Sequence, residues 1–245
     1  MRTNPAVIDF HSHILPQLDD GSNSVDTSLE MLRRSAQDGV DIMVATPHYY
    51  GTRHPLKVFL ERREASWQRL QGSLTPDLPR IRLGAEVAFH SGVEDQEGLE
   101  QLCIQGTNYL LLEMPFAAWT GYELDVLSTL ALDRGVRIIL AHFERFYSLQ
   151  HDQDLLARML ELPILLQINA GALLSFQRRG RWLKWLGQGK AHLLGSDCHN
   201  LGDRAPNLGR AREMIRRKLG DPVLLRIDQM GTEVLQSSSS QGEQA

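Results

Sequence analysis

The sequence predicts an α/β fold in which about seven βα units place their strands side by side in a closed or nearly closed barrel. Three observations predict it. Short apolar runs alternate with longer amphipathic segments along the chain. The apolar runs read as strands buried on both faces, which is the pattern of a parallel sheet covered by helices. The length, 245 residues, suits one such barrel.

The elements follow in order. Residues 6–10 are the first apolar run. Ser24 is placed to cap a helix through residue 38, with Leu29, Met31, Leu32 and Ala36 on its apolar side and Gly39 as its stop. Residues 41–46 read as a strand, 57–70 as a helix, and 81–88 and 109–114 as strands. A helix over 123–134 stops at Gly135. Three further strands are expected at 137–141, 164–169 and 191–196, separated by helical patterns. From about residue 206 to 235 the pattern is two helices broken around Gly220-Asp221-Pro222. One domain over 1–235 results, with 236–245 a polar, disordered tail.

Composition narrows the function classes. A net charge of −4 argues against a protein that coats nucleic acid. No apolar stretch approaches the ~20 residues needed to span a bilayer, so no membrane insertion is expected. No signal-peptide segment follows the N-terminal residues, and two cysteines make no disulfide framework, so the expected location is cytoplasmic.

The polar residues at the strand ends carry the chemistry. Of nine histidines, His11, His13, His48, His142 and His199 fall where an expected strand stops. Glu86, Glu113 and Asp197 occupy other strand ends, and Asp20 follows in the loop after His13. Residues i and i+2 of an extended segment share a side, so His11-x-His13 and Asp197-x-His199 can each present two groups to one cation. These groups exceed one tetrahedral zinc site and suit two or three divalent ions, with Mn, Fe and Zn all compatible with mixed His and carboxylate ligands. Asp19 and Asp20 divide two roles, one coordinating and the other capping the turn at Gly21 or orienting a ligand. Asp9 is either another orienting group or a buried carboxylate paired to backbone.

The histidine pair opens an HSHILP segment at 11–16, followed by DDG at 19–21, TPH at 46–48, GAE at 84–86, LLE at 111–113, AHFER at 141–145 and GSDCHN at 195–200. With these motifs the chain resembles the PHP superfamily (polymerase and histidinol phosphatase), and within it the bacterial tyrosine phosphatases of capsule and exopolysaccharide synthesis. The resemblance runs from about residue 7 to 204. It implies a distorted (β/α)7 TIM-like barrel of the PHP type holding three ions, commonly manganese. His11, His13, Glu86 and Asp197 would hold the first, Glu86, Glu113 and His142 the second, and Asp20, His48 and His199 the third. Arg145 and Arg204 match the arginines that grip the phosphate. The implied activity is hydrolysis of phosphotyrosine on a bacterial tyrosine autokinase.

The residue types suit that chemistry. Adjacent cations neutralise a phosphate dianion and lower the pKa of a bound water. Planar guanidiniums pair with phosphate oxygens better than ammonium groups do. A competing pattern is present: Cys198 and Arg204 have the spacing of thiol-based tyrosine phosphatases. Its loop lacks the glycines that let successive amides converge, and Cys198 lies between two candidate ligands, so its side chain should point away from them. Tyr49, Tyr50, Phe116, Trp119 and Phe143 lie in strand-end loops, where they either pack or hold a phenyl ring. The Arg178-Arg179-Gly180-Arg181 cluster is either a solvated face or an attractor of an acidic, phosphorylated partner. Other readings are a small-molecule phosphomonoesterase of the histidinol-phosphatase kind, a non-catalytic metal-binding regulator, and a metal-dependent amidohydrolase.

Overall fold

A computed structural model describes residues 5–237. Its strands are β1 (Ile8–Ser12), β2 (Ile42–Ala45), β3 (His48–Tyr49), β4 (Arg80–Leu83), β5 (Glu86–Ala88), β6 (Tyr109–Glu113), β7 (Arg137–Leu140), β8 (Leu165–Asn169) and β9 (Leu193–Gly195). All the pairings between them are parallel. The hydrogen-bonded orders are β1-β2-β4 and β3-β5-β6-β7-β8-β9. The Asp197 N–H donates to the His11 carbonyl at 2.8 Å and the His13 N–H to the Cys198 carbonyl at 2.9 Å, so the chain leaving β9 pairs with β1. The strands thus form a curled parallel sheet.

The expected strand over 41–46 is β2, followed by a short β3 that the sequence does not announce, and the expected strand over 81–88 is divided into β4 and β5. Pro47, which has no N–H to give to a ladder, separates β2 from β3 together with Thr46. Gly84 and Ala85 separate β4 from β5. The backbone still bridges the gaps: the Gly84 N–H reaches the Ala45 carbonyl at 2.9 Å and the Glu86 N–H the Pro47 carbonyl at 3.0 Å.

The helices are α1 (Val25–Gln37), α2 (Leu56–Gln71), α3 (Gly121–Leu132), α4 (Phe143–Tyr147), α5 (Gln153–Leu160), α6 (Ala170–Leu174), α7 (Arg179–Gly187), α8 (Leu208–Leu219) and α9 (Asp221–Gln236), the last of which also reaches the concave side of the sheet. Ser24 caps α1 by accepting the Thr27 N–H, as its position before the apolar pattern requires. Thr120 and Glu123 form a reciprocal capping box that starts α3 before the expected residue 123. Gly220, at φ 85°, ends α8 in a conformation that a side chain would strain, and Pro222 starts α9. Gln236, expected in the tail, is the last residue of α9 and Ser237 closes it; the rest of the expected tail, residues 238–245, lies outside the described residues. No helix among the described residues is long and apolar enough to cross a membrane.

Period-two alternation sorts the strand residues between two cores. Ile8, Phe10, Ile42, Val44, Tyr109, Leu111, Ile139, Ala141 and Leu193 share one cluster on the concave side. The intervening Met43, Ala45, Leu110, Leu112, Ile138, Leu140 and Leu194 pack with the helices in the other. Val234 of α9 joins the concave cluster. A Cβ at Gly231 would lie 2.9 Å from the Phe10 ring, so only glycine lets α9 approach β1 this closely. The concave floor is therefore largely apolar, and the candidate ligands lie further along, toward the C-terminal ends of the strands.

Candidate metal centre

All nine expected ligands meet at the C-terminal rim of the sheet. Their side-chain atoms form overlapping groups: His13, Asp20, His48 and His199; His11, Glu86 and His142; His11, His13 and Asp197; His48, Glu86 and Glu113. Apart from Asp20, His48 and Glu113 they are buried. Glu86 lies at the middle. His142 Nε2 is 2.8 Å from its Oε1, while His48 Nδ1, His11 Nε2 and His13 Nε2 lie 2.9, 3.2 and 3.3 Å from its Oε2. Asp197 Oδ1 is 3.6 Å from His11 Nε2 and 3.5 Å from His13 Nε2. Asp20 Oδ1 is 3.4 Å from both His48 Nε2 and His199 Nε2. Glu113 Oε1 is 3.3 Å from His142 Nε2.

Local departures from regular strand geometry aim these groups. The register of β1 against β2 shifts between Asp9 and Ser12, which breaks the alternation begun by Ile8 and Phe10. His142 and Asp197 adopt φ of 29° and 54°, and Gln17 is the remaining non-glycine with positive φ among the described residues. Such backbone is costly away from glycine and persists where the surroundings over-determine it. A Cβ at Gly195 would lie 2.6 Å from His11 Cβ, so glycine lets β9 pass close beside this ligand.

The partners of the imidazoles dictate their tautomers. His11 Nδ1 meets Gln167 Oε1 at 3.2 Å, His13 Nδ1 meets Asp19 Oδ2 at 2.8 Å, and His199 Nδ1 meets the Asp197 carbonyl at 3.0 Å. Each partner only accepts, so Nδ1 carries the proton and Nε2 presents its lone pair to the centre. His11 Nε2 and His13 Nε2 stand 3.1 Å apart. Two ligands of a common cation, bound at about 2.1 Å and near right-angled to tetrahedral, lie about 3.0–3.4 Å apart. Glu86 Oε2, with three imidazole nitrogens around it, has hydrogen-bond alignment with none, and His199 Nε2 and His48 Nδ1 are likewise buried without a hydrogen bond. This donor set fits divalent cations better than it fits a hydrogen-bond network among its own members.

The same crowding moves the ionisations of the metal-free groups. Burial opposes charge on Glu86 and Asp197, but the imidazoles around them outweigh it, with Arg145 adding to the effect on Asp197; both carboxyls are held well below the usual range. Burial also opposes protonation of His142, yet Glu113 and Glu86 push it up to about 9. His13 and His48 are raised against burial too, by Asp19, Asp197 and Glu86 for the first and chiefly by Glu86 for the second. Burial and then repulsion from His13 push His199 down to about 4.

The structure divides the acidic pair. Asp19 is fully committed to orientation: Oδ2 serves His13 Nδ1 and accepts the His48 N–H at 3.0 Å, and Oδ1 accepts the Gly21 N–H at 3.0 Å. Asp20 faces the imidazoles. Asp9 Oδ1 accepts the Ser196 N–H at 2.8 Å, tying β1 to the end of β9, and burial pushes its carboxyl up to about 6. Arg145 and Arg204 converge, half-buried, on the two oxygens of Asp197: Arg145 on Oδ2, and Arg204 on Oδ1 at 2.9 Å. Cys198 is fully buried in the helix-side core, and burial pushes its thiol up, so it is no thiolate nucleophile. Among the aromatics, Tyr49, Trp119 and Phe143 are packing residues. Phe116 is 61% exposed beside His142, and Tyr50 stacks on His48 with ring centroids 5.4 Å apart.

The sequence reading misses Gln167 and Asn169. Gln167 Oε1 holds His11 and accepts the His142 N–H at 2.7 Å; its amide donates to Asn169 Oδ1, whose own amide donates to Asp197 Oδ2 at 2.9 Å. The signal is present as two polar residues at i and i+2 closing an apolar run, the same spacing as His11-x-His13.

Comparison with known proteins decides the family. The family model for capsular polysaccharide synthesis, CpsB/CapC, matches residues 7–234. The chain belongs to the CpsB/CapC family. The tyrosine-protein phosphatase YwqE of Bacillus subtilis (strain 168) is 29% identical to it over 225 residues, 89% of this chain and 87% of the relative. A solved structure described with YwqE from Bacillus subtilis and CpsB from Streptococcus pneumoniae as unique metal-dependent tyrosine phosphatases superposes with a TM-score of 0.80 at 26% identity, covering 95% of this chain and 96% of that one. The phosphotriesterase homology protein of Escherichia coli shares the fold at a TM-score of 0.55 and 9% identity, over 95% and 99% of the two chains. The superfamily branch inferred from the motifs is thus the one to which this CpsB/CapC chain belongs, and the concave rim of the shared fold is where its candidate ligands gather.

Proposed function

We propose that this chain is a metal-dependent protein-tyrosine phosphatase of capsule or exopolysaccharide synthesis, acting on a tyrosine-phosphorylated bacterial autokinase. The observation that carries the chemistry is Glu86, a buried carboxylate with one oxygen unpaired among three imidazoles. The family and the names of its relatives support the substrate class. The fold reads as a distorted (β/α)7 barrel when β2 is counted with β3 and β4 with β5. It forms a single domain that ends with α9 at Gln236, in the cytoplasm.

His11, His13, Glu86 and Asp197 would hold one divalent ion, Glu86, Glu113 and His142 a second, and Asp20, His48 and His199 a third, with manganese the first choice. When bound, such ions supply charge neutralisation to a phosphate and acidity to a water. The chain supplies the rest. Asp19, Gln167 and the Asp197 carbonyl fix the imidazoles so that Nε2 faces the ions. Arg145 and Arg204 bind and orient the phosphoryl oxygens, and Asp197 keeps both guanidiniums at the rim until the substrate arrives. Phe116 and Tyr50 border the mouth where an aromatic leaving group would lie. A phenol leaves readily as its anion, its pKa being about 10, so the reaction demands little from a general acid.

The test compares hydrolysis of a phosphotyrosine peptide, a phosphoserine peptide and histidinol phosphate, each with Mn, Fe, Zn or chelator. Phosphotyrosine should be the best substrate, and chelator should abolish turnover. Strong activity on histidinol phosphate beside little on phosphotyrosine would move the protein to the small-molecule phosphatases.

A further inference from the structure

A second concentration of positive charge lies beside the centre. Arg145, whose guanidinium meets Asp197, also walls a cleft of about 430 Å³. The lining continues through Tyr147, Gln177, Arg178 and Arg181, past the start of α7. Arg178 and Arg181 are exposed. Among the described residues, neither they nor Arg179 forms an ion pair, and none of the three makes a side-chain hydrogen bond. Two of the three lie over rings instead: Arg179 over Phe176 at 4.8 Å and Arg181 over Tyr147 at 4.6 Å. Stacking steadies a guanidinium plane and leaves its N–H edge for an oxygen ligand.

The surroundings favour an anion. The chain as a whole is negative, at −4, so this clustering runs against its overall charge. The first turn of α7 carries no acidic residue. The carboxylate in the lining is Glu144, and its Oε2 is engaged inside the fold by the Asn169 N–H at 3.2 Å.

We propose that this cleft is a docking site for acidic residues flanking the scissile phosphotyrosine. The proposal rests on the phosphatase reading and adds a substrate class to it: phosphotyrosine in an acidic peptide. Arg145 belongs to both the centre and the cleft, so a peptide whose phosphate sits at the rim runs directly into Arg178 and Arg181. A peptide chain enters a concave cleft, whereas a flat bilayer meets only its edges.

The test measures kcat/KM of the metal-loaded chain for p-nitrophenyl phosphate and for two phosphotyrosine peptides, one with Asp and Glu flanks and one with Asn and Gln. The acidic peptide should be preferred by about tenfold, mostly through KM, and the preference should shrink as salt rises. The double variant Arg178→Glu/Arg181→Glu should lose that preference while keeping its Tm and its turnover of p-nitrophenyl phosphate. Equal use of both peptides by the unaltered chain overturns the docking site. So does a double variant that loses p-nitrophenyl phosphate turnover in parallel. Binding to phosphatidylserine vesicles that depends on the two arginines, without peptide preference, overturns it in favour of a membrane contact. Absence of any phosphotyrosine hydrolysis by the unaltered chain with every metal tried takes down the phosphatase reading itself.

Discussion

The two halves of the concave side are built by the same strands under opposite rules. Near the N-terminal ends, Ile8, Phe10, Tyr109, Leu111 and Ile139 alternate regularly, and the one polar group among their side chains, the Tyr109 hydroxyl, accepts from Arg137 at 3.1 Å. Near the C-terminal ends, β1 shifts register, His142 and Asp197 take positive φ, and buried nitrogens and oxygens lack hydrogen bonds. The floor is satisfied by itself. The rim is satisfied only by something that binds there. Strain and unpaired groups are tolerated at one end because regular packing at the other supplies the stability.

Changes at the rim and at the floor should therefore separate activity from stability. The largest effect is expected at the rim: His11→Ala or Asp197→Ala should cut phosphatase turnover by about a thousandfold or more, while circular dichroism shows a folded protein. Unfolding of these variants would erase the distinction. At the floor, Phe10→Ala should lower stability by about 3–5 kcal/mol in denaturant titrations and leave kcat nearly unchanged in the molecules that remain folded.

A pH series sharpens the contrast. His142 is raised from 6.5 to about 9 in the metal-free protein, so its proton stabilises that state fully below 6.5, and the contribution is lost as pH rises through 9. Cations need the neutral imidazole, so their affinity should rise over the same window. Metal-free Tm should fall between pH 6.5 and 9 while the Tm gained on adding Mn grows; a gain independent of pH would detach His142 from the ion. The smallest effect belongs to Cys198→Ser. It should leave activity within about twofold and cost about 1 kcal/mol or more of stability, because a hydroxyl enters an apolar pocket.

How much was legible follows the same division. The strands and helices read well because apolar period and caps are local: Ser24, Gly220 and Pro222 mark helix ends without help from tertiary structure. The candidate ligands stood out because histidine and carboxylate at a strand end have few other reasons to be there, and the structure brings these nine groups together. The two-residue β3 beyond Pro47 was hidden because it is too short to show a pattern, and the division at Gly84-Ala85 because apolar residues flank it on both sides. Gln167 and Asn169 were hidden because neutral amides are common in strands, and only the fold shows that they connect His11, His142 and Asp197. The choice between Asp19 and Asp20 required three-dimensional contacts, since both carboxylates occupy the same loop.

The hydrogen bond from the Asp197 N–H to the His11 carbonyl joins residues 186 positions apart and closes the rim between the first and last strands. During synthesis, His11 emerges early and waits for Asp197 and His199. A nascent chain, or one cut short by a premature stop before these residues, carries most of the ligands yet cannot assemble the centre. Activity would begin only when the chain has been made past His199, so products cut short before it are silent rather than unregulated phosphatases.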